Sequence, residues 1–488
     1  MSLDDFSDFV AYSKQHFEEG LIRAGFIENS NQWRGLITHS TGSTEVDIII
    51  QPRFPFQPPR VLPVDAEAVP WSWHRELDGA LCLVANDDHR DLWWAEASAF
   101  IEHVTAWFEN SDSGWAQDRP DLDLDRYFLP AENKDLYLYG DLAQYRNTFV
   151  RFKRAVNSVM KLTGRGLRPP KSAKKHPRDA YGYVADVGDV KSPPRNWGDL
   201  LALMDSAVGL EGRVRDHSVG VLVLMYNRGG HEGAIVLEVW PTTTGDIAVR
   251  RLRSGADTAA ARSARSGPHS VELNSRRVAV IGVGALGSFI ADMLVRAGIR
   301  QLTLIDGDVV MPGNLVRHLV GPEAVGQPKT VAVKNYLSRV HSLESSQIDA
   351  HTENIVASTT AIEVLRRHDL VVNATADFAI TALFHKTAEA IEARFLSAAL
   401  QNEGHTFRID VIPPLSNAAP LPASGSLTEP SLVPYFEAGC GSPISPTPPH
   451  AVIEAAAAAV RHAVGLLVEA PVHPAGEVRH LSPKLAAV

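Results

Sequence analysis

A glycine turn between an apolar strand and a helix constrains this chain more than any other feature. Residues 277–281 form a short apolar run suited to a buried parallel strand, and it leads straight into Gly282-Val-Gly284-Ala-Leu-Gly287. A helix is expected over 288–297, closed by Gly298. Strand, glycine turn and helix N-terminus together bring backbone amides against a phosphate at the positive end of a helix. Apolar runs at 301–305 and 370–374 continue the alternation of strand and helix, which predicts a doubly wound α/β domain over 275–488. Asp306 closes the second strand, 24 residues after Gly282, where a carboxylate takes a ribose hydroxyl. Taken alone, this pattern specifies a nucleotide or dinucleotide, with NAD as the default.

The residues that follow break that default. Asp306-Gly-Asp308 is succeeded by Asn314-Leu-Val-Arg317-His318, Gly326-Gln-Pro-Lys329 and Asn373-Ala-Thr-Ala-Asp377. Arg317 and Lys329 supply cations for a triphosphate and Asp377 a carboxylate for Mg²⁺, a set that carboxylate adenylation needs and NAD chemistry does not. Over 276–414 the sequence resembles the ThiF-type adenylating domain of ubiquitin-activating enzymes. The resemblance implies ATP and Mg²⁺ as cofactors, held by Gly282, Gly284, Gly287, Asp306 and Asp308. It puts Asp306 on the ribose, Asn314, Arg317 and Lys329 on the phosphates, and Asp377 on the metal. It also implies a homodimer.

Only two cysteines occur, Cys82 and Cys440. Two thiols cannot make a four-thiolate zinc site, so no zinc is expected. Cys440 lies in Glu437-Ala-Gly-Cys-Gly-Ser-Pro, inside a long Pro-, Ser- and Gly-rich segment over 413–449. Flanking glycines leave its thiol uncrowded, and a thiolate attacking an acyl-adenylate is ordinary covalent catalysis. Activating enzymes carry such an acyl-accepting cysteine downstream of the Mg²⁺-binding aspartate, and Cys440 is the candidate here.

Cys82 lies in His74-Arg-Glu-Leu-Asp-Gly79-Ala-Leu-Cys82-Leu83, after Phe54-Pro-Phe-Gln-Pro-Pro and before Trp93-Trp94. Over 6–128 this resembles the ubiquitin-conjugating enzyme core, which implies a thioester on Cys82 and a structural role for His74. The family's His-Pro-Asn is replaced by His74-Arg75-Glu76, so the asparagine assigned there to oxyanion stabilisation is missing. Asp87, Asp88, His89 and Asp91 are candidates for activating an incoming amine.

Three regions are expected, α/β overall: an α+β ubiquitin-conjugating-like domain over 1–129, an α+β linker domain over 130–274, and the Rossmann-like adenylating domain over 275–488. Helices are expected at 6–24 and 94–109, and strands at 33–38, 45–51, 219–226, 234–240 and 246–252. The basic stretch 165–178 reads as a solvated linker. A formal net charge of −10 argues against nucleic acid as a partner. No apolar run approaches the roughly 20 residues that span a bilayer, so no membrane association is expected. The acidic start lacks a secretory pattern, which predicts a cytoplasmic protein.

This domain order resembles the fusion enzyme of type II CBASS anti-phage operons. That implies adenylation of the C-terminus of a cGAS-like nucleotidyltransferase and its ligation to a target amine. Rival readings are a fusion enzyme serving a separate ubiquitin-like protein, a sulfur-carrier adenylyltransferase and an NAD oxidoreductase. Sulfur-carrier relatives often hold zinc on paired C-x-x-C motifs, which this sequence lacks.

Overall fold

The computed structural model describes residues 3–84, 91–115, 123–167, 179–204, 209–228, 230–423 and 445–481. The chain forms two compact units, Met1–Thr258 and Ala259–Val488. The division falls within the Ala-, Ser- and Gly-rich stretch 254–270.

The first unit opens with α1 (Leu3–Arg23), which buries Phe17 and Leu21 and stops before Gly25, a left-handed residue at φ 88°. An antiparallel meander follows, made of β1 (Ile27–Asn29), β2 (Gln32–His39), β3 (Gly42–Ile49) and β4 (Arg60–Pro63). The proline-rich segment before Arg60 forms no regular element, because its prolines cannot donate to a ladder. The helix expected from residue 94 begins later, as α2 (Ala97–Asp112). Trp93–Ala95 instead makes a separate 3₁₀ turn that buries Trp94, whose Nε1 donates to the Pro55 carbonyl at 2.6 Å. The last residue of α2 ties down the β2–β3 hairpin. Asp112 lies 2.7 Å from His39 Nδ1 and accepts from Ser40 Oγ and Thr41 N, which lowers its carboxyl from 3.8 to about 2.

The rest of this unit is an eight-stranded sheet. Its strands are β5 (Leu136–Tyr139), β6 (Thr148–Arg154), β7 (Val159–Arg165), β8 (Asp179–Asp189), β9 (Val221–Arg228), β10 (His231–Pro241), β11 (Ile247–Arg251) and β12 (Arg253–Ala256). Short helices α3 (Trp197–Ala202) and α4 (Leu210–Arg215) precede β9. Arg165 of the basic stretch ends β7; residues 168–178 lie outside the described ones. The middle residues share a core with the first region, since Trp73, Leu124, Tyr127 and Phe128 pack with Tyr183, Leu222, Leu224 and Leu237. Trp71 Nε1 donates to the Pro193 carbonyl at 2.8 Å, and Arg251 pairs with Asp125 at 2.9 Å.

The second unit is Rossmann-like. After α5 (Ala259–Ser263) and α6 (Ser270–Leu273), β13 (Arg277–Ile281), α7 (Ala285–Ala297), β14 (Gln301–Ile305), α8 (Lys329–His341), β15 (Ile348–His351) and α9 (Ser358–Arg367) alternate. They are followed by β16 (Leu370–Asn373), α10 (Phe378–Ala390), β17 (Phe395–Gln401), β18 (Thr406–Ile412), α11 (Pro449–Leu467) and β19 (Gly476–His480). The sheet order is β15-β14-β13-β16-β17-β18-β19, parallel through β17 and antiparallel beyond it. Residues of α7, α8 and α11 cover one face, and those of α9 and α10 the other. Strand order reverses between β13 and β16, and that switch point is where open α/β sheets place ligands.

One expectation is corrected here. α11 has 19 residues and is long and apolar enough, by length and composition, to cross a membrane. In this fold it is a core helix, with Ala455, Ala456, Ala459 and Ala463 fully buried against the sheet. The Ala-rich sequence lets α11 lie close to α7 and the strands.

Candidate functional site

The glycine turn forms as the spacing predicts, and the three glycines have different jobs. Gly282 follows β13 at φ 79°, and a Cβ there would lie 2.8 Å from the backbone of Thr375. A Cβ on Gly287 would sit 1.8 Å from the Gly282 carbonyl oxygen, so this glycine lets α7 close on the turn. Nothing lies within 4 Å of a Cβ built on Gly284, at the N-cap of α7. That open space is where a phosphate can meet the backbone.

Around the turn lies a cleft of about 620 Å³. Gly282, Gly284, Asp306, Asp308, Arg317, Lys329 and Asp377 all line it. Gly287 is buried within α7, and Asn314 is off the lining, its Oδ1 accepting from Met311 N at 3.0 Å to close a loop turn. Asp306 pins the turn from the end of β14. Its Oδ2 accepts from Val283 N at 2.6 Å and its Oδ1 from Asp308 N at 2.8 Å. Each oxygen keeps lone-pair capacity for a ribose hydroxyl. Asp377 follows β16 and caps α10, with Oδ1 accepting from Ala379 N at 2.7 Å and Ile380 N at 3.1 Å. The cap engages Oδ1, and the residue is exposed.

Both cations have partners within the chain. Lys329 Nζ reaches Asp308 Oδ2 at 2.8 Å, and Arg317 Nη1 donates to the Ser445 carbonyl at 2.9 Å. The donor set fits a nucleotide polyphosphate: amides at a helix N-terminus, one ammonium, one guanidinium and the exposed carboxylates Asp308 and Asp377. Among the described residues no group of three His, Cys, Asp or Glu could hold a metal by itself. A Mg²⁺ held by one carboxylate and the phosphates is compatible with that, because Mg²⁺ keeps most of its shell as water and phosphate oxygen.

Two contributors escaped the sequence reading. His318 is buried and donates Nε2–H to the Val283 carbonyl at 2.9 Å, while its Nδ1 accepts from Val320 N. Burial pushes its pKa down, which keeps it the neutral tautomer that this bonding requires. Asn354 Oδ1 accepts from Gly307 N at 3.1 Å, and Asn354, Ile355 and Val356 form one wall of the cleft. His318 follows Arg317 directly, so its position was visible in the motif, although its role needed the fold.

Cys440 lies outside the described residues.

In the first unit, Cys82 follows a tight loop built by its neighbours. Cys82 N donates to the His74 carbonyl at 2.9 Å, and Gly79 N donates to the Glu76 carbonyl in a turn with Gly79 at φ 88°. The His74 ring stacks on Trp115 with centroids 3.5 Å apart. Arg75 is buried and clamps the loop, donating Nε to the Gly79 carbonyl at 2.9 Å and Nη1 to the Val69 carbonyl at 3.0 Å. Glu76 accepts from Arg60 at 3.0 Å. The two residues that replace proline and asparagine therefore brace the loop. Cys82 is partly exposed and packs against the shared core containing Trp73 and Tyr226. Asp91 is exposed; Asp87, Asp88 and His89 lie outside the described residues.

Comparison with known proteins places a family on the second unit. Residues 262–459 match the ThiF family model. The chain is 33% identical over 109 residues to the ATP-dependent ubiquitin transferase-like protein Cap2 of Enterobacter hormaechei, covering 22% of this chain and 18% of that protein. It is 30% identical over 135 residues to the molybdopterin-synthase adenylyltransferase of Escherichia coli, covering 27% of this chain and 53% of that one. Both matches span well under two thirds of those relatives' length. Among solved structures, E. coli MccB with ATP aligns at TM-score 0.31 and 19% identity, over 42% of this chain and 59% of MccB. The family match places a ThiF-type domain in the C-terminal half of the chain.

Proposed function

We propose that this protein uses ATP to adenylate the C-terminal carboxylate of a protein substrate and relays the acyl group through Cys440 and Cys82 to an amine. The observation that carries the reading is the single cleft at the strand switch point, where Gly284, Arg317, Lys329 and Asp377 meet. The ThiF match over the same residues supports it.

In the first step a carboxylate oxygen of the substrate attacks the α-phosphorus of ATP, the bond to the bridging oxygen breaks, and pyrophosphate leaves with the electron pair. Arg317, Lys329 and the amide of Gly284 neutralise charge that builds on the phosphates. Asp377 would hold a Mg²⁺, which would supply further charge neutralisation. The Cys440 thiolate, its proton lost to solvent, then attacks the acyl carbon and expels AMP. The Cys82 thiolate displaces Cys440 from that thioester. A target amine finally displaces Cys82, losing a proton to form the amide.

The substrate we favour is the C-terminus of a cGAS-like nucleotidyltransferase, in the cytosol, with the C-terminal units paired as a homodimer. The match to an ATP-dependent ubiquitin transferase-like protein supports a conjugating role. Closed two-fold pairing is the commonest assembly of soluble chains. A separate ubiquitin-like protein is the alternative substrate. The match to an adenylyltransferase of molybdopterin synthase favours, as a second reading, sulfur-carrier adenylation, which leaves Cys82 without work.

The test is intact mass spectrometry of the wild type, Cys82→Ala and Cys440→Ala after incubation with ATP and candidate substrates. Cys82→Ala should accumulate a reductant-sensitive adduct on Cys440, and Cys440→Ala should form the adenylate while loading neither thiol. Loading of Cys82 at the wild-type rate in Cys440→Ala would refute the relay.

A further inference from the structure

Asn373 ends β16 at the strand switch point, in register with Ile281 of β13 and Ser397 of β17, and is only 1% exposed. Its side-chain amide closes a ring of hydrogen bonds around the start of α10. Thr375 donates to Asn373 Oδ1 from its backbone N at 3.2 Å and from Oγ1 at 2.8 Å. Asp377 N donates in turn to Thr375 Oγ1 at 3.1 Å. On the other side, Thr381 Oγ1 donates to the Asp377 carbonyl at 2.8 Å and accepts from Asn373 Nδ2 at 2.9 Å. The proton directions are fixed, because the Thr375 backbone N–H can only donate and each threonine hydroxyl carries one proton. The amide offers an acceptor to Thr375 and a donor to Thr381, a pair that an aspartate carboxylate cannot supply.

We infer that Asn373 is the positioning residue for Asp377, and that through this ring it sets where the carboxylate stands against the glycine turn. The inference rests on the proposed metal role of Asp377. Both ring bonds to Asp377 are made by its backbone N and O, so they direct the carboxylate without consuming it. Ala376, enclosed by the ring, is left-handed at φ 56°, a conformation that a non-glycine residue keeps only where its surroundings impose it. The bonds on either side of Ala376 impose it. The same segment lies directly on the glycine turn. Ala374 N donates to the Ile281 carbonyl at 2.7 Å, and a Cβ on Gly282 would come within 2.8 Å of Thr375 N and Cα. A buried hydrogen-bonded network whose donors and acceptors are matched is rigid. Asn373 thus holds the carboxylate at one distance from the phosphates that the turn receives.

Calorimetry with a non-hydrolysable ATP analogue, on full-length chains in Mg²⁺ and in EDTA, reads the placement of Asp377 without turnover. Mg²⁺ should tighten the analogue in the wild type, and Asp377→Asn should abolish that gain. Thr381→Val keeps the shape and removes the hydroxyl, which opens the ring while keeping the Asp377 side chain. It should cut the gain about tenfold, as loss of a group that orients a metal ligand does, and leave the affinity in EDTA unchanged. Asn373→Asp lacks the donor and should behave alike, whereas Thr381→Ser keeps the hydroxyl and should restore the gain. A residue that merely supported the fold would weaken binding equally in Mg²⁺ and in EDTA. That result overturns the inference, as does an undiminished gain in Thr381→Val and Asn373→Asp, and both leave the metal role of Asp377 standing. A gain that persists in Asp377→Asn, or is absent from the wild type, overturns the metal role and the inference with it.

Discussion

Replacing Gly287 and Gly284 in turn separates the two things a glycine turn does. At Gly287 an added Cβ would lie 1.8 Å from the Gly282 carbonyl oxygen and 2.9 Å from its carbon. Those are backbone atoms, so no rotamer relieves the contact and α7 must shift away from the turn. Overpacking costs about 1–3 kcal/mol, and a backbone contact this short belongs at about 3 kcal/mol. For a unit of this size that lowers the melting temperature by roughly 6–12 °C. At Gly284 nothing lies within 4 Å of the added methyl, so the fold loses only the preference for glycine over alanine at an N-cap, about 1 kcal/mol or less. The space that methyl enters borders the cleft. Wedged between amide and phosphate it costs about 1–3 kcal/mol of binding, or roughly 5- to 150-fold in the ATP dissociation constant. All nine tryptophans precede residue 258, so a calorimetric transition silent in tryptophan fluorescence belongs to the C-terminal unit. The expected pattern is a lowered C-terminal transition in Gly287→Ala, and in Gly284→Ala a nearly normal transition with weakened ATP binding. Wild-type ATP affinity in Gly284→Ala, or an unshifted transition in Gly287→Ala, would refute the assignment.

Three further outcomes are expected. Asp377→Asn keeps an N-cap for α10 and removes the charge, so substrate-dependent pyrophosphate exchange should vanish with the melting point held, whereas Asp377→Ala should lose exchange and about 1 kcal/mol of stability; exchange surviving in both would exclude a metal role. Burial pushes His318, His368 and His462 below the ordinary 6.5. They are neutral in both states above that pH, and below it the unfolded chain takes up protons the folded unit refuses, so the C-terminal transition should fall between about pH 7.5 and pH 5.5; equal melting at the two would count against it. Arg75→Ala leaves the Gly79 and Val69 carbonyls without their charged donor, which should cost about 2–4 kcal/mol in the first unit and slow transfer to Cys82. Loading of Cys440 should be unchanged, and equal slowing at both thiols would argue against a local effect.

The parts legible in the sequence are those where one local rule decides the outcome. β13, β14 and β16 are buried on both faces, so each is a continuous apolar run, and the glycine turn announces itself by spacing. β5 to β8 were not legible. Thr148–Arg154 reads TFVRFKR, with only Val150 and Phe152 buried, and such a half-exposed strand is indistinguishable from a solvated basic stretch until its neighbours are known. The same limit applies to Arg75, which a sequence reading sees only as a departure from a motif. In the fold it is a buried clamp, because the carbonyls of Val69 and Gly79 come together around it.

That clamp bears on why the middle of the chain is present. Cys82 sits on a loop held on one side by Arg75 and His74 and on the other by the core that Trp73 and Tyr127 share with β8 and β9. Removing the eight-stranded sheet would expose Trp73 and Tyr127 and strip away part of the core against which Cys82 packs. The middle region thus supplies one wall of the Cys82 loop as well as a covalent link to the adenylating unit. A link between two thiols turns a bimolecular transfer into an intramolecular one, with an effective concentration in about the millimolar range when its reach matches the span.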